Sequence, residues 1–397
     1  MWKNLCQRLR RNLWLHASDR IRNRRKGLFS LVLLFLSYVF RLAVACRQLM
    51  YDLGIFRSHR LGCLVICVGN LTVGGTGKTP VVECLARELV ARGRRVAILS
   101  RGYGSKSEKW RLLKKNRPRV VGDGQRILLK AEEAGDEALM LAQNLRGVVV
   151  ISGKDRLKSA AMAMKDYGCD VLILDDGFQY LRLRGHVSIL LMDKSNPFGN
   201  GHLLPRGVLR EPISATRRAT HILLTRAGGS PNESLNRLLK KYSEAPVMES
   251  FLIAQELHNS TGEASVSLKT LAGKRVAIFS GIANPGSFES FIHAAGAYVV
   301  LCRRFPDHYL FAADEINKIC EEATDLRGEM IITTEKDMVR LPEGVASALP
   351  IFYLRIHAKI TNGCGIWEKL LSDLTPAPSG RSPIGTPMGI RPPTAEA

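Results

Sequence analysis

The sequence is poor in acidic and aromatic residues, and its cysteines form no C-x-x-C pair. Its 397 residues contain 36 Asp and Glu against 58 Lys and Arg, a formal net charge of +22, and only 7% are aromatic. The nine cysteines are odd in number and scattered from Cys6 to Cys364. This distribution excludes a disulfide framework and a zinc site, so we expect reduced thiols facing a cytosol. The positive charge indicates an anionic partner, whether phospholipid, phosphorylated substrate or nucleic acid.

From residue 61 onward, short β-rich runs alternate with stretches of helical spacing. The strand candidates are residues 64–68, 95–99, 148–151, 171–174, 187–192 and 222–225, and the helix candidates are residues 80–92, 137–145 and 156–167. Apolar strands that alternate with helices predict an α/β fold, a parallel sheet with helices on both faces.

A second βα set begins near Lys274, with strand candidates at residues 275–279, 297–302, 330–333 and 351–354. The stretch before it is polar, and the chain ends in a segment rich in Pro, Gly, Ser and Thr. The predicted organisation is an N-terminal segment (1–60), a first α/β core (61–227), a connector (228–270), a second, smaller α/β domain (271–374) and a disordered tail (375–397).

The strongest motif is a glycine-rich turn between a buried strand and a helix, LVICVGNLTVGGTGKTP at residues 64–80. Glycines let backbone N–H groups converge on phosphate oxygens, and the helix N-terminus adds its dipole. Lys78 would reach the β- and γ-phosphates of ATP, and Thr79 would place its hydroxyl on Mg²⁺. The standard spacing requires glycine where Thr72 stands, but the flanking strand and helix favour a nucleotide site over a chance match. The predicted cradle comprises Thr72, Val73, Gly74, Gly75, Thr76, Gly77, Lys78 and Thr79.

A second motif, VLILDDGFQ at residues 171–179, ends an apolar strand with Asp175 and Asp176. An acidic residue at this edge of a sheet holds Mg²⁺ beside a P-loop. Alone, such a pair often forms a turn or a helix cap. The P-loop upstream favours a Mg²⁺ role for Asp176.

Weaker candidates lie at other predicted strand ends. Arg101 and Tyr103 could face the phosphates or simply form a turn, and Asp136 precedes a helix, where its residue type is typical of an N-cap. The arginines of PRGVLREP, residues 205–212, could bind a substrate anion or be solvated. FPDH at residues 305–308 and TEKD at 334–337 end strands of the second set, and a lone histidine such as His308 is usually structural.

One long apolar run, LFSLVLLFLSYVF at residues 28–40, continues past Arg41 to residue 46. Residues 1–60 also hold 13 Lys and Arg against two acidic residues, an excess of 11. Three interpretations are open: a cleaved secretory signal, a spanning helix in which Arg41 snorkels, and an interfacial helix with basic neighbours. Because export would deprive the following domain of ATP, we favour an uncleaved helix in the cytoplasmic leaflet.

In this order the motifs resemble those of one family, the tetraacyldisaccharide 4′-kinases (lipid A 4′-kinases) of Gram-negative bacteria. The matching segments are residues 68–80, 100–104, 135–137, 175–179, 204–212, 281–285, 305–308 and 334–337. The unusual glycine spacing of the P-loop is this family's own. The resemblance implies transfer of the ATP γ-phosphoryl group to the 4′-hydroxyl of a tetraacylated disaccharide 1-phosphate. It also implies two α/β/α domains with the site in the cleft between them, at the cytoplasmic face of the inner membrane.

The resemblance also implies roles for single residues. Asp136 would be the base that takes the sugar hydroxyl proton, supported by His308. Lys78, Thr79 and Asp176 would serve ATP and Mg²⁺. The residues expected to line the same cleft are Arg101, Tyr103, Arg156, Arg210 and Glu211. Three positions depart from the family's usual pattern, namely Ser105, Ala138 and Tyr180, and they concern substrate detail rather than reaction class.

Two other functions compete with the lipid kinase. A membrane-associated regulatory P-loop NTPase would hydrolyse ATP without an acceptor sugar and would tolerate loss of Asp136. A nucleic-acid-binding ATPase is suggested only by charge, and the sequence lacks interleaved aromatic and basic residues. The expected partners are therefore an acylated disaccharide phosphate and a membrane surface, with no nucleic acid and with the oligomeric state open.

Overall fold

One mixed sheet of 13 strands runs through the computed structural model, which describes residues 28–102, 117–227, 233–259 and 265–375 apart from 343 and 346. The strands are β1 (Leu64–Asn70), β2 (Val96–Ser100), β3 (Arg119–Gly122), β4 (Val149–Ser152), β5 (Val171–Asp175), β6 (Val187–Asp193), β7 (His221–Thr225), β8 (Val247–Asn259), β9 (Ser265–Ser267), β10 (Arg275–Ser280), β11 (Tyr298–Arg304), β12 (Met330–Thr334) and β13 (Ile351–Asn362).

Helices and short 3₁₀ turns fill the connections between these strands. The α-helices are α1 (Leu28–Asp52), α2 (Lys78–Ala91), α3 (Ala131–Ala134), α4 (Asp136–Asn144), α5 (Arg156–Tyr167), α6 (Glu233–Lys240), α7 (Pro285–Ala294), α8 (Ala313–Asp325), α9 (Glu335–Met338) and α10 (Cys364–Leu374). The 3₁₀ turns are Ile213–Arg218 and Leu268–Leu271.

The strand order is β11-β10-β12-β13-β8-β7-β6-β1-β5-β2-β4-β3, with β9 paired to β8. Within the first set, the neighbouring strands β8, β7, β6, β1, β5, β2 and β4 are all parallel, and β3 is an antiparallel edge strand. Strands β10 to β13 are parallel to one another. The antiparallel pair of β8 and β13 joins the two sets, so the sets run in opposite directions.

The β8–β13 pair also fixes where the two sets face each other. Strand β7 pairs with β8 only over Val247 to Glu249, so residues 251–259 extend past its end. Strand β12 joins β13 near that far end, where Leu354 lies opposite Leu257. The carboxyl ends of β10, β11 and β12 therefore point back toward the carboxyl ends of the first set. The two edges therefore face each other across one cleft. Ligands of open α/β sheets bind at such strand ends.

Alternating side chains of β1 pack on opposite faces of the first set. Ile66 and Val68 join the core formed with α2, α4 and α10, whereas Val65 and Cys67 join the core formed with α5. Both faces are buried, which explains the continuous apolar runs of these strands. The predicted α/β class is thereby confirmed, and the second set has its own cores on its two faces.

The predicted connector, residues 228–270, holds α6, β8 and β9 where the structure describes it. Strand β13 is also longer than its predicted first four residues, and β3 was not predicted. The division of the chain at residues 60, 227, 270 and 374 stays a prediction. Most of the predicted disordered tail and the first 27 residues lie outside the described residues.

Helix α1 is longer than the predicted apolar run and contacts the protein along one stripe. Leu33 and Ser37 are buried, and the Ser37 hydroxyl donates to the carbonyl of Leu203 at 2.9 Å. Arg206 donates to the Ser30 hydroxyl at 3.1 Å. Most other apolar side chains of α1 are exposed, including Phe35 at 66%. Among the described residues, α1 is the helix long and apolar enough to cross a membrane by length and composition.

Candidate active site

The P-loop connects β1 to α2, as its sequence predicts. Gly77 ends the loop with φ of 74° and Gly74 has φ of 114°, a conformation that side chains other than glycine rarely adopt. The buried Thr76 accepts a hydrogen bond from Asn70 at 3.0 Å, which fixes the loop to the end of its strand. The amides of this turn and the first turn of α2 form a site suited to phosphate.

The end of β7 and the loop segment 205–212 hold the P-loop from two sides. Thr225, at the end of β7, donates to the carbonyl of Thr76 at 2.9 Å. On the other side, the amide of Val73 donates to the carbonyl of Val208 at 2.8 Å, and the amide of Arg210 donates to that of Leu71 at 2.7 Å. The arginine-containing segment 205–212 is thereby paired directly with the P-loop.

Asp176 lies between the P-loop lysine and the paired arginine. Its carboxylate is 3.5 Å from Lys78 Nζ, and Arg210 Nη1 donates to both of its oxygens at 2.8 and 2.9 Å. Burial alone would raise the pKa of Asp176, but Lys78 and Arg210 outweigh it and the pKa is lowered. The group is therefore an ionised carboxylate beside the phosphate site.

Arg156 approaches the same strand end from the start of α5. Its side chain is buried, donates to the backbone carbonyl of Asp175 at 3.3 Å and lies over the Tyr180 ring at 5.5 Å. Burial, with Glu137 and Asp176 nearby, raises the pKa of Asp175 to about 7. Burial lowers the pKa of Arg156, and the nearby positive charge of Arg101 also lowers it.

Asp136 meets residues of the second strand set across the cleft. It is the first residue of α4, and Gly135, not Asp136, is the N-cap, so the capping role suggested by its residue type is wrong. His308 Nδ1 is 3.1 Å from Asp136 Oδ2, and Arg340 Nε donates to the same oxygen at 2.7 Å. Burial would raise the pKa of Asp136, but His308 and Arg340 outweigh it and the pKa is lowered.

Lys336 extends this contact beside His308. Its Nζ lies 3.2 Å from His308 Nε2 and 3.2 Å from Glu137 Oε1. Glu137, the residue after Asp136, is also close enough to Asp175 to raise the pKa of that carboxyl, so the Asp136 cluster lies near the strand end that carries Asp175.

A sequence profile of the LpxK family, described as tetraacyldisaccharide-1-P 4′-kinase, matches residues 29–375. The chain belongs to this family. The resemblance inferred from the motifs is confirmed.

Individual members of the LpxK family match over nearly their whole length. A tetraacyldisaccharide 4′-kinase of Anaeromyxobacter sp. (strain K) is 41% identical over 87% of this chain and 92% of that protein. The tetraacyldisaccharide 4′-kinase of Syntrophus aciditrophicus (strain SB) is 38% identical over 90% of this chain and 95% of that protein. The crystal structure of LpxK from Aquifex aeolicus in complex with ATP has a TM-score of 0.70 at 30% identity, covering 88% of this chain and 100% of that one.

The structure brings most of the residues predicted for an LpxK site together. Lys78, Asp176 and Arg210 form one cluster with Arg156 beside it, and Asp136 and His308 form the other. Glu211 instead points toward α1, where Arg218 binds it and in turn donates to Gln48 at 2.8 Å. Tyr103 lies outside the described residues.

The oxygen donors at the P-loop fit Mg²⁺. Thr79 supplies a hydroxyl and Asp176 an ionised carboxylate, and Mg²⁺ commonly takes one or two carboxylates and completes its shell with phosphates and water. Across the described residues there is no cluster of three or more His, Cys, Asp and Glu side chains that would hold a metal ion alone.

Three site residues were not singled out from the sequence. Arg340 and Lys336 contact the Asp136 cluster, and Gln179 donates to the carbonyl of Asn70 at 2.8 Å. Lys336 belongs to the TEKD motif and Gln179 to the VLILDDGFQ motif, whereas Arg340 follows TEKD by three residues and has no local signal.

Proposed function

We propose that this chain transfers the γ-phosphoryl group of Mg-ATP to the 4′-hydroxyl of a tetraacylated disaccharide 1-phosphate in lipid A biosynthesis. The observation that carries the proposal is the contact between Asp136, at the start of α4, and His308, which follows β11 of the second strand set. Membership of the LpxK family supports the identity of donor and acceptor.

The P-loop side binds the nucleotide in this proposal. The loop amides hold the phosphates, Lys78 reaches the β- and γ-phosphates, and Thr79 with Asp176 would hold Mg²⁺. Mg²⁺ supplies charge neutralisation on the phosphate oxygens. Arg156 and Arg210 already lie at this strand end, where they can offset the charge of the transferred group.

Asp136 is the proposed base. Its lowered pKa keeps it ionised at neutral pH, so it can accept the acceptor hydroxyl's proton as the oxygen attacks the γ-phosphorus. A carboxylate is a weak base, but phosphoryl transfer depends mainly on positioning and charge neutralisation. His308 holds the carboxylate through Oδ2. We propose that Arg101 and Tyr103 serve the acceptor side, as the family resemblance implies, and that Glu211 contributes there from its position beside Arg218 and α1.

Helix α1 is the proposed membrane contact. Its exposed apolar side chains form one continuous face, while its opposite stripe is hydrogen-bonded to the protein. A face of this kind is stabilised by contact with lipid, and the basic residues of 1–60 favour anionic headgroups. Since the reaction consumes ATP, the cytoplasmic leaflet of the inner membrane is the proposed location.

Transfer of radiolabelled γ-phosphate from ATP to a tetraacyl disaccharide 1-phosphate in detergent micelles tests the proposal. Wild type should label the lipid, and Asp136→Asn and Lys78→Ala should each lower the rate by at least about 100-fold. Asp314→Asn and Lys165→Ala, which change exposed residues of α8 and α5, serve as matched controls and should retain the wild-type rate. No labelled lipid from wild type, or full activity in Asp136→Asn, would refute the assignment.

A further inference from the structure

Three segments of the second strand set converge on Asp136 although the proposed function uses only one of their residues. They follow β10, β11 and β12, and they contribute Gly281, His308 and the Asp337–Arg340 turn. The amide of His308 and the Nη1 of Arg340 both donate to the carbonyl of Gly281, at 3.2 and 3.1 Å. The three strand ends thus form one hydrogen-bonded unit opposite Asp136.

Arg340 is a buried residue of this unit that contacts Asp136 directly. Its side chain is only 1% exposed. Nε donates to Asp136 Oδ2 at 2.7 Å, and Nη1 donates to Asp337 Oδ1 at 3.1 Å as well as to Gly281. Because two acceptors hold Nη1, the guanidinium is fixed in orientation, and its Nε points at Asp136 in one direction.

Asp337 anchors the guanidinium from behind. Its side chain is fully buried, and it accepts hydrogen bonds from the Gly281 amide at 2.9 Å and the Thr334 hydroxyl at 2.6 Å. A Cβ at position 281 would lie 3.1 Å from Asp337 Oδ1 and 3.3 Å from the Pro306 carbonyl. A side chain at this position would therefore be tightly packed, and Asp337 or the Pro306 carbonyl would have to shift by a few tenths of an ångström.

Both contacts to the Asp136 carboxylate are made through one oxygen. His308 Nδ1 and Arg340 Nε each bind Oδ2, and no hydrogen bond to Oδ1 is seen from any residue that the structure describes. The carboxylate is thereby fixed in rotation with Oδ1 left to accept a proton.

We propose that Arg340, anchored by Asp337 and Gly281, is a positioning residue that holds the Asp136 carboxylate so that Oδ1 faces the acceptor hydroxyl. The inference rests on the proposed function. In the transfer step the hydroxyl oxygen bonds to the γ-phosphorus, and the bond to the bridging oxygen breaks with its electron pair leaving on ADP. The hydroxyl proton passes to Asp136 Oδ1, and Arg340 keeps its own protons throughout.

The positive charge of Arg340 also predicts a pH effect. The charged or titratable groups around Asp136 are His308, Arg340, Glu137, Lys336 and Asp307. Burial would raise the pKa of Asp136, and His308 and Arg340 lower it. Removing the guanidinium raises this pKa, so the base becomes protonated, and activity is lost, at a higher pH than in wild type.

The test measures kcat, both KM values and the pH profile of the full chain carrying Arg340→Gln or Arg340→Lys. For Arg340→Gln we expect kcat to fall about 100-fold, with KM for ATP unchanged and the acidic limb moved up by about one pH unit. Arg340→Lys keeps the charge but not the forked geometry, so its limb stays in place while kcat falls about tenfold. Arg303→Gln, an exposed arginine of β11, is the matched control and should behave as wild type.

Two comparisons separate positioning from a purely structural role. In an Asp136→Asn background, Arg340→Gln should lower the residual rate no further, because Arg340 acts through that carboxylate. The inference would be overturned if the acidic limb of Arg340→Gln stayed at the wild-type pH. It would also be overturned if Arg340→Gln lowered the rate equally in the wild-type and Asp136→Asn proteins. If Arg340→Gln fails to bind ATP or to fold, wild-type kcat in Arg340→Lys overturns it instead. Wild type that labels no acceptor would refute the proposed function, a result distinct from either of these.

Discussion

The double substitution Phe35→Ser/Leu42→Ser is expected to weaken binding of the protein to lipid vesicles without disturbing its fold. Both side chains belong to α1 and each is 66% exposed. Complete burial of a Phe or Leu side chain stabilises by roughly 1.5–3 kcal/mol, so covering two thirds of each by lipid contributes about 1–2 kcal/mol. The pair together contributes about 2–4 kcal/mol, which is roughly 30- to 900-fold in binding.

Co-sedimentation with vesicles that contain anionic phospholipid, at fixed salt concentration, measures this loss. Tyr298→Ser/Leu310→Ser is the matched control, because those side chains are 67% and 64% exposed but lie outside α1. The melting temperature and ATP affinity of both double variants should equal those of wild type, since none of the four side chains supports the core. Wild-type sedimentation of the α1 variant, or an equal loss in the control, would refute the assignment of α1 as the membrane contact.

Two further predictions concern stability. Gly69→Ala would place a Cβ 2.7 Å from that of Phe178, so we expect a loss of about 1–3 kcal/mol in denaturant unfolding, whereas Gly365→Ala, with nothing within 4 Å, should be neutral or stabilising. Burial raises the pKa of Glu335 from 4.5 to about 7, so between these values the folded chain keeps a proton that the unfolded chain releases. Stability of wild type should therefore fall as pH rises through this window, while Glu335→Gln, which can still accept from Asn144, should show a flatter pH dependence in urea unfolding. A larger loss in Gly365→Ala, or identical pH curves for the two proteins, would contradict these predictions.

The sequence predicts the buried parallel strands well, but it predicts poorly the antiparallel β8–β13 pair that joins the two sets. Strands such as β5 are covered on both faces, so they appear as unbroken apolar runs. Strands β8 and β13 are half-exposed over much of their length; β8 falls in the stretch predicted as a polar connector, and only the first four residues of β13 were predicted as a strand. The far half of β13 had no apolar run to mark it. The geometry that makes the two sheet edges face each other therefore depends on the segment with the weakest local signal.

The site divides in the same way. The P-loop chemistry is contiguous in sequence, so residues 64–80 indicate a nucleotide site without any tertiary information. The partners of Asp136 are distant, with separations of 172 residues to His308 and 204 to Arg340. Resemblance to a family supplied the first pair. Arg340 carries no pattern of its own, and only the convergence of three strand ends reveals it.

The central claim is that ATP turnover by this chain is coupled to an acceptor, and the ratio of lipid phosphorylated to ADP formed tests it most directly. With wild-type protein and a tetraacyl disaccharide 1-phosphate, we predict one phosphate in the lipid for each ADP, attached at the 4′-hydroxyl. ADP formation should nearly cease when the acceptor is omitted. ADP released at the same rate with and without acceptor, and no labelled lipid, would contradict the account and favour a regulatory NTPase.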